Sequence, residues 1–408
     1  MKKSLALILG LALLLSLSTS ALAAPVEIDY WSVFTGADGA TMQGMVDAFN
    51  ASQSEVKVNH TPMTADDLYQ KVPLAVQTGS GIPDVTIVHI ERIPMFVKQE
   101  MIWPIDTLME NGILAENYIP SAWDRTDIDG EHYGVPLDVH AYVSYTNQEL
   151  FDQYDLNSFT EDGYITFDEV RALGDKARAA GYEGTITNLG WVRAQLLSYY
   201  AQVNGILSED GINPSFNNAD FLKVYETLKA LHDDGYTNLK GEDALQLFHS
   251  GDMLLWSEGI WMKAGLVDAG ISYKMYPAIT FSPETTKSWT SSHNFVQFVD
   301  DNRTEEEDVA VAKFINYMGE NSLTWARDGG QVPAHVSINN EPAFHDLPQA
   351  FLADPERGDE LAIYSYLYWG LFDTAIGRPG WEPVFGTVGI QEALNAMQQE
   401  VEDAIKAQ

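Results

Sequence analysis

Ten tryptophans stand in the 408-residue chain, and four of them lie in turn-like rather than periodic contexts. Trp191 follows Gly190, Trp261 follows Gly259-Ile260, Trp289 precedes Thr290-Ser291-Ser292, and Trp381 follows Pro379-Gly380. A sugar ring has apolar C–H faces and a polar rim of hydroxyls. Indole faces suit the first; carboxylates, amides and imidazoles suit the second. Tryptophan beside Asp, Glu, His and Asn in loops is therefore what a neutral glycan site needs. A glycosidase subsite needs the same residues, and among 59 acidic side chains a facing carboxylate pair is not readable from sequence. Binder and hydrolase both stay open at this point.

Other chemistry is poorly provided for. The chain has no cysteine, so it offers no disulfide, thiolate ligand, cysteine nucleophile or lipid-modified N-terminal cysteine. HExxH, Walker A, GxGxxG and GxSxG patterns are absent from the sequence. The nine histidines are scattered without metal-ligand spacing, so neither a metal site nor a cofactor is expected. Ser158 to Glu169 imitates a calcium loop, but Ser158 stands where the ion needs Asp. The same letters read as an Asp-Gly turn opening a helix. Asp127 to Glu131 reads as a hairpin turn rather than a metal site.

The elements that must position these residues alternate. Glu27 to Phe34 is short, apolar and aromatic, which predicts a buried strand. A Thr35–Gly39 loop follows, then Met42, Met45, Val46 and Phe49 at helical spacing. Val56–Val58 predicts a second strand, Thr64-Ala65-Asp66-Asp67 a helix cap, and Val85–His89 a third strand. This pace predicts a parallel α/β sheet, whose ligands meet the loops after the strands, here Thr35–Gly39 and His89–Arg92. Helices are expected from the Thr166-Phe167-Asp168-Glu169 capping box through Ala180, over Asn218–Asp234, Val309–Met318 and Ile390–Ala407. Between them, Met253–Trp256 returns to α/β alternation.

The formal charge is −36, with 45% hydrophobic and 20% charged residues. A globular core is ensured, while nucleic-acid backbones and anionic membranes are repelled. Lys2 and Lys3 precede an apolar Leu5–Leu17 run too short to span a membrane, and Ala21-Leu22-Ala23 offers a small-x-small cleavage pattern. We expect a signal peptide over 1–23, cleaved after Ala23, and export to a periplasmic or extracellular space.

The chain resembles the extracellular solute-binding proteins of ABC transporters, family 1, which includes maltose- and multiple-sugar-binding proteins. The resemblance rests on six pieces in family order. They are Ile28-Asp29-Tyr30-Trp31 through Ala48-Phe49-Asn50, then Ala75-Val76-Gln77-Thr78-Gly79 with Ile82-Pro83-Asp84-Val85. Next come Asp129-Gly130 with Tyr133-Gly134-Val135-Pro136 ahead of Tyr145, Asn147 and Leu150-Phe151, and the Thr166–Glu169 helix start. Gly251 to Trp261 and Gly329-Gly330-Gln331-Val332-Pro333-Ala334 complete the series. Ile260 departs from the family's usual Pro, and His140 from the acid of maltose-type relatives.

This resemblance implies an α/β, two-lobe periplasmic-binding-protein fold with the ligand in the interlobe cleft. Lobe 1 would hold 24–137 plus 280–330, and lobe 2 would hold 138–279 plus 331–408. Hinges would fall at Pro136–Val139, Tyr276–Ile279 and Gly329–Pro333. It implies a monomer that closes on a neutral carbohydrate and docks to membrane permease subunits, with no catalysis. Loop logic and resemblance together nominate Thr35, Asp38, His89, Glu91, Asp138, His140, Trp191, Glu258, Trp261, His293, Asn294, Arg378 and Trp381 as ligand contacts. Trp191, Trp261 and Trp381 would stack, and the polar members would bond hydroxyls. A secreted glycan hydrolase, and a binder of polyamine, metal or glycerol phosphodiester, remain as alternatives.

Overall fold

A computed structural model describes residues 24–407. The expected signal peptide lies outside the described residues. Among those described, no helix is long and apolar enough to cross a membrane.

The N-terminal alternation forms as expected. Strands Val26–Ser32, Val56–Pro62 and Val85–His89 pair in parallel, linked by helices Ala37–Ser52 and Ala65–Thr78. The second helix is capped by Thr64, whose hydroxyl accepts from Asp67 N–H. The sheet is mixed rather than purely parallel. His293–Val296 adds antiparallel beside Val85–His89, and Val135–Pro136 closes the edge.

A second sheet is built around one ten-residue strand, Asp138–Asn147, buried at every position. Its sequence places Asp138, His140, Tyr142, Ser144 and Thr146 on one face and Val139, Ala141, Val143 and Tyr145 on the other. It pairs antiparallel along its length with Val332–Pro333, Ser288–Ser291, Leu255–Gly259 and Tyr273–Pro277. Ser288–Ser291 thus belongs to this second sheet, and the chain passes to the first sheet at Ser292, not near residue 280.

The helices expected from the sequence form over Phe167–Ala179, Ala219–Asp233, Glu305–Glu320 and Ile390–Lys406. Thr166 and Glu169 make both halves of the capping box. Asp127–Ile128 and Glu131–His132 form the expected hairpin, with Asp127 accepting from Gly130 N–H at 3.0 Å. Trp256 is core: it stacks on Phe248 beneath the second sheet, centroids 5.4 Å apart.

Candidate functional site

Where the chain passes between the sheets, the register brings distant residues together. His293 lies opposite His89 in the first sheet. Two residues earlier, Ser291 lies opposite His140 in the second. Three histidines from separate strands therefore meet at the junction, although their sequence spacing gave no hint of it. The His140 and His293 rings stack with centroids 4.2 Å apart, and His89 lies 4.9 Å from His293.

Asp138, two residues before His140 and on the same strand face, lies behind them with no exposure. Its carboxylate accepts from His293 Nδ1 at 2.9 Å, His140 Nδ1 at 3.3 Å and Trp325 Nε1 at 2.7 Å. Burial alone would raise this carboxyl, but the neighbouring His293 and the hydrogen bonds from both imidazoles outweigh it and hold it below the usual range. Burial, reinforced by His293, pushes His140 down to about 4. His89 is pushed well below the ordinary histidine range by burial first, then by His293 and His140.

These histidines form one end of a cavity of about 470 Å³ that also includes Phe34, Asp38, Trp191, Arg193, Glu258 and Trp261. Trp191 meets Trp261 edge-on at 5.5 Å and Trp289 at 5.2 Å. Trp261 also packs edge-on to His140 at 5.6 Å. Gly259 permits this placement, since a Cβ there would lie 2.1 Å from the Trp261 ring. Glu258 sits beside it with no cation partner among the described residues. Burial raises its carboxyl to about 7, against hydrogen bonds from the Gly259 and Trp191 backbone. Burial likewise raises Asp38.

A second cavity of about 290 Å³ continues past His89 and Trp191. Arg193 opens onto both, lies 4.4 Å over Trp191 and pairs with Asp373 at 2.6 Å. Asp373 holds Arg92 as well, at 3.1 Å. Glu91 is buried here and raised by that burial; it accepts from Ser291 Oγ at 2.6 Å, while its Oε1 has no partner among the described residues.

Of the thirteen nominated residues, Asp38, His89, His140, Trp191, Glu258, Trp261 and His293 share the larger cavity, and Glu91 lines the smaller. Asp138 stands behind it. Thr35 is exposed in its loop, outside both linings. Asn294 points away: strand alternation turns it opposite to His293, and its amide donates to Ser292. Arg378 is an exposed partner of Glu400 at 2.7 Å. Trp381 is packed in the core of the second half, where its Nε1 donates to the Gly190 carbonyl at 2.8 Å. It buttresses the backbone before Trp191 instead of offering a face. Phe34 and Arg193 were not anticipated; Arg193 near the start of the Val192–Gln202 helix carried no loop signal.

Residues 44–352 match the family described as bacterial extracellular solute-binding protein. The chain belongs to that family. A binding protein of Brucella abortus is 25% identical to this solute-binding protein over 93% of its length and 89% of the relative's. The galactooligosaccharide-binding protein of Bacillus subtilis is 25% identical over 75% of this chain and 73% of that one. Among solved structures, the GacH receptor of Streptomyces glaucescens, described with acarbose, superposes with a TM-score of 0.79 at 17% identity, covering 94% of this chain and 99% of that one. The two-lobe fold is the one these proteins share.

Proposed function

We propose that this solute-binding protein captures a neutral oligosaccharide in the cleft and delivers it to the membrane subunits of an ABC importer. One observation carries the reading: a cavity with mutually perpendicular indoles, Trp191 against Trp261, whose gaps are filled by Asp38, Glu258 and histidines. Perpendicular rings offer stacking surface in two directions, and the polar groups between them suit hydroxyls. The oligosaccharide relatives support the same class. Trp191 and Trp261 stack; Asp38, Glu258, His89, His140 and His293 bond hydroxyls; Asp138 and Trp381 position others.

The lobes follow the strand pairing, 24–137 with 292–331 against 138–291 with 332–407, and the crossings act as hinges. Ligand touching both lobes stabilises the closed form that docks to the permease. The protein acts after export and signal-peptide removal, as a monomer, and turns nothing over. Tryptophan fluorescence titrated with neutral oligosaccharides tests the binding, and recovery of unchanged glycan after prolonged incubation tests the absence of hydrolysis. Saturable quenching by one glycan class with intact recovery is expected; cleavage products would replace this reading with the hydrolase.

A further inference from the structure

The histidines have a geometry that hydroxyl binding does not require. Each uses Nδ1 on the protein side. His140 and His293 direct theirs to the Asp138 carboxylate, which only accepts, so both Nδ1 atoms carry a proton, and in the neutral rings both Nε2 atoms keep a lone pair. His89 Nδ1 lies 2.6 Å from Tyr69 Oη, which also accepts from the His89 backbone N–H at 3.0 Å; in the tautomer with the ring proton on Nδ1, the third Nε2 is bare. Among the described residues, no Nε2 of the three has a hydrogen-bond partner, and all three residues line the cavity. One ring nitrogen from each of the three lies within 4.8 Å of the others.

We propose that His89, His140 and His293 hold one divalent transition-metal ion, Zn²⁺ or a borderline ion of similar preference, with an open coordination position toward the aromatic cavity. Three imidazole nitrogens with a fourth position free is the open zinc arrangement. Nitrogens about 2.0–2.1 Å from such an ion stand about 3.4 Å apart, so the widest pair must close by up to about 1.4 Å. His140 comes from a different sheet than His89 and His293, and the hinge closure proposed above would move it relative to them. Asp138 supplies the carboxylate–histidine support that orients metal-binding imidazoles, doubled here onto two rings and pinned by Trp325. A buried carboxylate dedicated to two histidines and one indole is explained by that duty. The inference does not depend on the carbohydrate reading.

The test strips the mature protein with a chelator and titrates it with Zn²⁺ alone by calorimetry and Co²⁺ alone by visible absorption. We expect one ion per chain at micromolar or tighter affinity, and no uptake of Mg²⁺, which prefers oxygen ligands. His140→Gln and His293→Gln should each weaken Zn²⁺ at least tenfold, and Asp138→Asn about 10–100-fold, with folding checked by circular dichroism. Where a variant fails to fold, Co²⁺ absorption of the wild type still decides, through imidazole-ligated, four- or five-coordinate bands. No stoichiometric uptake, or uptake unchanged in the folded histidine variants, overturns the site. Oligosaccharide shifts measured in chelator separate the two readings. Sugar binding without Zn²⁺ uptake overturns the metal site alone, and Zn²⁺ uptake without sugar binding supports it while removing the carbohydrate.

Discussion

Glu258→Gln should flatten part of the pH dependence of stability. Glu258 is enclosed beside Trp191 with no cation to compensate among the described residues, and burial raises its carboxyl from 4.5 to about 7. Between those values the native state holds a proton that the unfolded chain has released. Native stability therefore falls as pH rises through this window, and the penalty is complete above about pH 7. At about 1.4 kcal/mol per unit, the ceiling is about 3 kcal/mol. The side chain still touches the open cleft, so solvent screening leaves about 1.5 kcal/mol. The neutral amide resembles the protonated acid and has no such titration. Thermal unfolding of wild type and Glu258→Gln, compared from pH 5 to pH 8, should show the variant gaining about 2 °C relative to wild type across the range. Parallel pH curves would refute the reasoning, because they would mean the carboxyl is already ionised at pH 5.

Three further outcomes follow from the site. Trp261→Ala removes an indole face of about 80 Å², worth about 2 kcal/mol at about 25 cal/mol/Å², so the dissociation constant for the cognate oligosaccharide should rise about 30-fold in calorimetry. Asp138→Ala leaves the His293 and Trp325 donors buried without their acceptor, and denaturant unfolding should show a loss of about 3 kcal/mol. Arg378→Ala breaks only a surface pair with Glu400 outside the cleft, so its oligosaccharide affinity should stay within about twofold of wild type.

Local signals in the sequence were reliable where a short stretch decides its own structure. The Thr166–Glu169 box and the Asp127–Gly130 turn each close their bonds within four residues. The strand ending at His89 could be read with the loop that follows it, which brought His89 and Glu91 to the site. Pairing between distant strands could not be read. His89, His140 and His293 converge because one passage between sheets places Ser291 against His140 and His293 against His89. Neither register is written in local periodicity. The turn contexts of Arg378 and Trp381 showed irregular backbone but not its direction; one faces solvent and the other the core. Arg193 was hidden for the opposite reason: it sits in a regular helix whose first turn opens onto the cleft.

The central claim is carbohydrate capture, and thermal unfolding of the mature protein against a panel of neutral oligosaccharides tests it most directly, with spermidine and a glycerol phosphodiester as controls. Ligand at about 100 times its dissociation constant adds about 2.7 kcal/mol to a one-site binder. For a chain of this length that is a rise of about 3 °C. The account predicts that rise with one glycan class, lost in Trp261→Ala. No rise with any glycan, together with a rise for spermidine or the phosphodiester, would contradict it.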